Sequence, residues 1–271
     1  MASGFEMFSS IFAKNRNYRL RPKVRFCILL QIVASLFVII SPVELRAEST
    51  SANLDKSPLV EVETSHLVLE PYRNRRAQFG WMWSLIAENY YPAKYMSILD
   101  GTYYQNIYGA SDIAMSGLQG SIKYNLSGAS VYAGGGYQMG SLRSSSSGSS
   151  RQITMGKKEV FIGLALDGLT LEPYIVPYAE IGFWTMDLDE KDESTLLSNA
   201  GETGYGKRYK AGTLIQLNWL DPESSKINYM ESGLQNTFVN LFVSINTDTD
   251  TASDPSLASD AELGLGLTLE F

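Results

Sequence analysis

The residues that could perform chemistry in this chain are mainly carboxylates and lysines, because histidine and cysteine are almost absent. The 271 residues include one histidine, His66, and one cysteine, Cys27. A zinc site built from Cys and His ligands and a disulfide framework are therefore excluded. His66 could serve a Ser/His/acid arrangement only beside a suitable serine, and we interpret it instead as a residue that precedes the first strand. We expect no catalytic residue, no metal site and no cofactor.

Charged residues fall on the polar face of segments in which apolar and polar residues alternate. A period of two is typical of strands, and a narrow closed barrel would force charges on its inner face together. We expect these charges to pair as a structural network that fills the lumen. The alternative is a small ion or solute path lined by the same residues. The set comprises Glu88, Lys123, Glu172, Glu180, Lys210, Glu262 and Glu270.

Two acidic segments, 187–193 and 248–254, carry carboxylates of the kind that hard cations prefer. Neither segment has the full spacing of a calcium-binding loop. We therefore interpret them as solvated acidic loops, with cation binding as the alternative.

A cluster of tyrosines between positions 90 and 108 could do either of two things. Tyrosine is enriched where a membrane protein meets the interface between lipid and water, so the cluster predicts an aromatic girdle. The alternative is a platform on which carbohydrate rings stack. The cluster comprises Tyr90, Tyr91, Tyr95, Tyr103, Tyr104 and Tyr108.

The elements that must position these residues are strands. At the end of the chain, residues 261–271 alternate strictly, with leucines and Phe271 on one face and Glu, Gly and Thr on the other. The same contrast recurs along the chain and predicts an all-β fold, an antiparallel up-and-down barrel of about eight strands, the smallest number usual for a transmembrane barrel. The segments are 78–89, 118–126, 131–139, 160–166, 171–183, 209–219, 236–245 and 261–271.

The connections between these segments alternate between long and short, as a barrel with both termini on the periplasmic side requires. Tight turns are predicted at Ser127-Gly128 and Asp167-Gly168. Asp221 followed by Pro222 is typical of a helix start and Gly233 of a helix end, so a short periplasmic helix is predicted at 222–232. The predicted long connections are 89–113, 142–157, 186–204 and 246–260.

The N-terminus resembles a secretory signal. Basic residues between Lys14 and Arg25 precede an uncharged apolar run at 26–40, and Ala47 stands at the predicted cleavage position. The alternative is a membrane anchor, but this run is shorter than the roughly 20 residues a spanning helix needs. The domains predicted are a signal peptide at 1–47, a periplasmic lead-in at 48–77 and an outer-membrane barrel at 78–271.

The overall charge limits the partners that the chain could bind. The sequence has 22 Lys and Arg against 29 Asp and Glu, a net charge of −7. A basic surface that could neutralise phosphates over a wide area is absent, so nucleic-acid binding is not expected.

With these features the chain resembles the eight-stranded bacterial outer-membrane barrels, the class that includes the OmpA membrane domain, OmpX and OmpW. The resemblance covers about residues 78–271 and implies export to the outer membrane, with outer-membrane lipid and lipopolysaccharide as partners. It also implies that Phe271 acts as an assembly signal, since a terminal aromatic on an alternating last strand resembles the signal read by the barrel-assembly machinery. The scarcity of histidine argues against the barrel-type lipid A deacylases and the omptin-like proteases.

The expected function is therefore that of a monomeric structural envelope component or a narrow porin-like channel. A surface binding or adhesion module that uses long extracellular loops is the alternative, and an enzyme comes third. A water-soluble, lipocalin-like barrel is the competing interpretation of the fold.

Overall fold

The computed structural model describes residues 69–144 and 150–271. These residues form nine strands and three short helices. The strands are β1 (Phe79–Tyr90), β2 (Ile113–Asn125), β3 (Ser130–Arg143), β4 (Arg151–Ala165), β5 (Ile175–Asp192), β6 (Leu197–Glu202), β7 (Gly206–Gln216), β8 (Asn236–Thr249) and β9 (Ser259–Glu270). The helices are α1 (Tyr72–Arg75), α2 (Tyr104–Tyr108) and α3 (Pro222–Ser232).

Eight of the strands close into a barrel, which confirms the predicted fold class. Every pairing is antiparallel, and the pairing of β1 with β9 joins the first barrel strand to the last. Strand β6 pairs only with β5 and lies outside the ring. Closure leaves each of the eight ring strands paired along both edges, so among the strands of residues 69–144 and 150–271 only β6 presents a free edge.

The two ends of the barrel differ in their connections. We call one the turn end: it holds the connections 126–129, 166–174 and 217–235, residues 69–78, and Phe271. The other, the loop end, holds the connections 91–112 and 250–258, the join between β3 and β4, and the hairpin of β5 and β6. As predicted, the two ends of the chain from residue 69 onward lie at the same end of the barrel.

Three predicted connections were wrong. The predicted long loop 186–204 is mostly strand, since β5 reaches Asp192 and β6 spans Leu197–Glu202. Asp167-Gly168 does not form a two-residue hairpin turn, because Asp167 is buried against Lys123 and the connection extends over 166–174. The predicted long loop 142–157 is mostly strand, since β3 reaches Arg143 and β4 begins at Arg151.

Helix α3 has the bounds that the sequence predicted. The Asp221 side chain accepts a hydrogen bond from the Ser224 amide at 3.0 Å, and Gly233 ends the helix with a φ of 73°. Side-chain capping and a left-handed glycine are the usual start and stop of a helix. No helix in the described part of the chain is long and apolar enough to cross a membrane.

The faces of the strands divide as the alternation predicted. Large apolar side chains such as Trp81, Val160 and Leu263 point outward and are exposed, whereas Glu88 and Lys123 point inward and are buried. The barrel is therefore apolar outside and charged inside.

Candidate functional site: the barrel lumen

The lumen at the turn end holds a cluster of charges around Lys123. Its ammonium group forms ion pairs with Glu270 and, at 2.5 Å, with Asp167. It also donates a hydrogen bond to the Tyr72 hydroxyl at 2.8 Å, and that hydroxyl donates to Glu270 at 2.6 Å. The cluster therefore joins the lead-in to β2, to the connection 166–174 and to β9.

Residues 69–78 close the turn end from inside. Tyr72, on α1, has no exposed surface, and the Arg76 guanidinium contacts Asp167 at 2.9 Å. Burial and the charges of Glu270 and Asp167 raise the pKa of Tyr72 far above its ordinary value, so its hydroxyl stays a neutral donor. This part of the lead-in forms one helical turn and seals the barrel.

Asp167 is ionised despite its burial. Burial alone would raise its pKa, but the charges of Lys123 and Arg76 and the hydrogen bond from Ser130 outweigh that effect and leave the pKa lowered. A carboxyl group whose pKa falls on folding contributes stability above its unfolded pKa and loses it as the pH drops through the folded pKa. The seal at the turn end therefore weakens in acid.

An apolar layer lies next to the Lys123 cluster, on the side of the loop end. Aromatic rings from four strands pack across the lumen in this layer, and the Lys210 ammonium lies 4.8 Å from the centre of the Phe242 ring. A pocket of about 20 Å³ remains here, which is room for about one water molecule. The buried members are Met82, Ile86, Tyr132, Phe161, Ala165, Val176, Tyr178, Leu214, Phe238 and Phe242.

A second layer of charges occupies the centre of the barrel. Three ion pairs cross it: Lys157 with Glu88, Arg208 with Glu159, and Lys210 with Glu180 at 2.8 Å. Neutral groups complete the layer, since Gln119 donates to Glu159, Ser244 to Glu88 at 3.0 Å and Tyr132 to Glu180 at 3.0 Å. The three cations and three carboxylates of these pairs balance, which is the condition under which buried charges are tolerated.

The predicted aromatic girdle was wrong for four of its six tyrosines, whereas Tyr103 is 57% exposed and Tyr91 is partly buried. Tyr90, Tyr95, Tyr104 and Tyr108 are buried in an apolar cluster with Trp184 at the loop end, where the connection 91–112 folds over the lumen. The Tyr104 ring packs edge-on against Tyr95 and tilted against Tyr108, with ring centres 6.4 and 5.0 Å apart. A girdle or a carbohydrate platform needs exposed rings, so this cluster is a cap on the barrel.

The acidic segment 187–193 is only partly solvated. Glu190 is buried and accepts hydrogen bonds from the Tyr95 hydroxyl at 3.0 Å, the Ser97 hydroxyl at 2.8 Å and the Ile98 amide at 3.1 Å. Asp189 forms an exposed ion pair with Lys191. Across 69–144 and 150–271, no group of three or more His, Cys, Asp or Glu side chains is arranged to hold a metal ion.

Most of the charged residues selected from the sequence lie in the two charged layers. Lys123 and Glu270 belong to the turn-end cluster, and Glu88, Glu180 and Lys210 to the central layer. Glu262 is buried beside the central layer and accepts from the Tyr91 amide at 2.7 Å. Glu172 stays outside the lumen at the rim, where it accepts from the Tyr72 amide at 2.9 Å.

Three features of the sequence lie outside the described residues: His66, Cys27 and the predicted signal at 1–47.

Four lumen residues escaped the sequence analysis. Lys157 and Glu159 precede the predicted start of β4, Arg208 precedes that of β7, and Asp167 was assigned to a turn. The signal that finds three of them is the alternation itself: inward positions of β4 are odd-numbered and those of β7 even-numbered. Extending each strand toward its N-terminus places Lys157, Glu159 and Arg208 inside.

Comparison with known proteins gives a likeness of fold. No protein-family model matches the sequence, and no curated protein matches it significantly. Among solved structures, Ail, the attachment invasion locus protein of Yersinia pestis, has 12% sequence identity and a TM-score of 0.42, over 72% of this chain and 100% of Ail. Neisserial surface protein A has 8% identity and a TM-score of 0.35, over 72% of this chain and 96% of that one. The likeness at these values does not extend to individual residues or activities.

Proposed function

We propose that this chain is exported and spans a bacterial outer membrane as a closed barrel, where it serves as a structural component of the envelope. The observation that carries this proposal is the distribution of polarity: the outer face of the barrel is apolar and the lumen is charged. Outward side chains including Ile175 and Leu263 are 66% and 71% exposed. A water-soluble barrel of the lipocalin kind would require the opposite arrangement, with its polar face toward water.

The outward apolar band has a polar limit at the loop end. On β4, the outward positions Val160, Ile162 and Leu164 are apolar, and the next outward position toward the loop end is Lys158, which pairs with Asp187 and Glu202. A band of outward apolar side chains that is bounded by charged ones is the pattern of a lipid-facing surface.

We expect Ile162→Arg to lower the free energy of unfolding of the protein in phospholipid vesicles by about 2–4 kcal/mol, because the side chain would face lipid near mid-band. Ile162 is half exposed, so the substitution creates no clash inside the protein. The measurement is a denaturant titration of the protein in vesicles, followed by the mobility of the unboiled folded band.

Ile227→Arg is the matched control, because Ile227 is also exposed but lies on α3, outside the strands. This variant should change the free energy by less than about 0.5 kcal/mol. Equal, small effects of the two substitutions would mean that the outer face meets water, and the membrane location would be abandoned.

The packing of the lumen favours a structural role over a porin-like channel. An eight-stranded barrel is just wide enough for its own side chains to fill it, and here they form two charged layers, an apolar layer and an aromatic cap. A solute path would have to break several of these contacts at once. We therefore assign the lumen charges to holding the barrel together.

We further propose that Phe271 is the signal recognised by the barrel-assembly machinery. Its backbone exchanges hydrogen bonds with Trp81 at 2.9 and 3.0 Å, so the last residue also closes the seam between β9 and β1. Deleting Phe271 should lower the outer-membrane level several-fold and increase degradation in the periplasm, as measured by immunoblot of fractionated cells. Phe271→Tyr keeps both the aromatic ring and the seam, so it should assemble normally; normal assembly of the deletion would refute the role.

Surface binding is a second candidate function, and the hairpin of β5 and β6 favours it. All six residues of β6 are exposed, and Leu196 at its tip is 89% exposed with a φ of 58°. A bulky residue in the left-handed region is uncommon and costs free energy. Loss of binding to a defined surface by a Leu196→Gly variant, with an intact barrel, would support this function.

A further inference from the structure

A polar pocket of about 330 Å³ opens at the turn end, between the lead-in and the turn that joins β2 to β3. It borders the lumen network, with which it shares Arg76, and its size is at the lower limit of small-ligand sites. Hydrogen bonds hold its two walls together: Asn125 donates to the Ala77 carbonyl at 2.7 Å, and Arg76 donates to the Leu126 carbonyl. The lining residues are Arg73, Asn74, Arg76, Ala77, Gln78, Asn125, Leu126 and Ser127.

The lining of this pocket is suited to an anion. Arg73 and Arg76 are its charged residues, and no carboxylate lines it. Arg76 is committed to Asp167, whereas the Arg73 guanidinium has no hydrogen-bond or ion-pair partner among the residues that the structure describes. The side chains of Asn74 and Ser127 provide further donors beside it. Guanidinium donors bind phosphate oxygens in a two-pronged geometry that lysine cannot reproduce.

The pocket also borders the outward apolar face. Leu126 lines the pocket and is half exposed, and the next outward residue on β2, Tyr124, packs edge-on against Phe79 with ring centres 5.1 Å apart. An anion bound beside Arg73 would therefore have an apolar surface next to it, continuous with the band that faces lipid. A free inorganic ion would make no favourable contact with that apolar surface.

We propose that this pocket binds the phosphodiester headgroup of an anionic phospholipid, with the acyl chains lying along Phe79 and Tyr124. This inference rests on the proposed membrane location. It assigns Arg73 as the residue that selects a net negative headgroup and Ser127 and Asn74 as neutral donors to the same oxygens. The bound lipid would hold the lead-in against the barrel wall at the turn end.

The test is native mass spectrometry of the purified mature protein, released from micelles in the presence of phosphatidylglycerol and phosphatidylcholine of equal chain length. We expect phosphatidylglycerol to be retained about tenfold more tightly, because the quaternary ammonium of phosphatidylcholine cancels the headgroup charge and is repelled by Arg73 and Arg76. Arg73→Gln should remove most of that preference. Lys226→Gln removes one positive charge from α3 at the same end, away from the pocket, and should leave the preference unchanged.

Three results would overturn the inference. They are equal retention of the two lipids by the unaltered protein, an equal loss of preference in Arg73→Gln and Lys226→Gln, and displacement of phosphatidylglycerol by an equal concentration of inorganic phosphate. The last would identify the site as one for free phosphate. A protein that enters vesicles but retains the two lipids equally refutes this inference alone, whereas one that does not enter vesicles refutes the membrane location.

Discussion

Replacing Lys157 by methionine should lower the free energy of unfolding by about 3–5 kcal/mol, the usual cost of removing one partner from a buried ion pair. Methionine keeps most of the length of the side chain and removes the ammonium group. The carboxylate of Glu88, which is completely buried, then loses its closest cation. Urea titration of the protein in micelles or vesicles, followed by the folded band on unboiled gels, measures the loss.

The neighbouring residue provides the matched control. Lys158 faces outward, its side chain is 49% exposed, and it pairs with Asp187 and Glu202 at 3.0 Å each. Lys158→Met should cost no more than about 1 kcal/mol, because exposed ion pairs contribute little. Adding Glu88→Leu to Lys157→Met should recover much of the stability, since it removes the unpaired buried charge. Equal losses for the two lysine variants would contradict the assignment of Lys157 to a buried network.

The strand pattern could be predicted because a strand has a period of two that does not drift. A side chain at an even or odd position keeps its face along the whole strand, so Lys123 and Glu270 could be placed inside from the sequence alone. The outward leucines of β9 followed from the same argument. The number of alternating segments then predicted a closed barrel of about eight strands.

Strand ends could not be predicted so well, because alternation continues into parts of the sequence that also resemble loops. Around Lys157 and Arg208 the glycines and charges are typical of connections, yet the strands extend because their neighbours do. Strand β6 shows the opposite problem. All its residues are exposed, so no burial pattern marks it in the sequence.

The tyrosines and Asp167 required knowledge of long-range contacts. Tyrosine suits both a membrane interface and a capped lumen, and only the inward folding of 91–112 decides between them. Asp167 followed by glycine favours a tight turn locally, but the ion pairs with Lys123 and Arg76 draw its side chain under the barrel. A local preference of this kind is easily outweighed by buried charge pairing.

The unaltered barrel should not conduct ions. A permeating ion would have to pass the aromatic cap around Trp184, the three ion pairs of the central layer, the apolar layer and the cluster around Lys123. Crossing a packed apolar layer costs an ion several kcal/mol even when charged groups lie on both sides of that layer. Current through this lumen therefore requires rearrangement of packed side chains.

Single-channel recording of the unaltered protein, purified from membranes, in a planar bilayer tests the closed lumen most directly. Insertion is verified first by the shift of the folded band on an unboiled gel from the same preparation. We predict a current no greater than the leak of the bare bilayer across the voltage range that the bilayer withstands. Reproducible, steady conductance steps from the folded protein would contradict the closed lumen and favour a narrow channel lined by Glu88, Lys157 and Arg208.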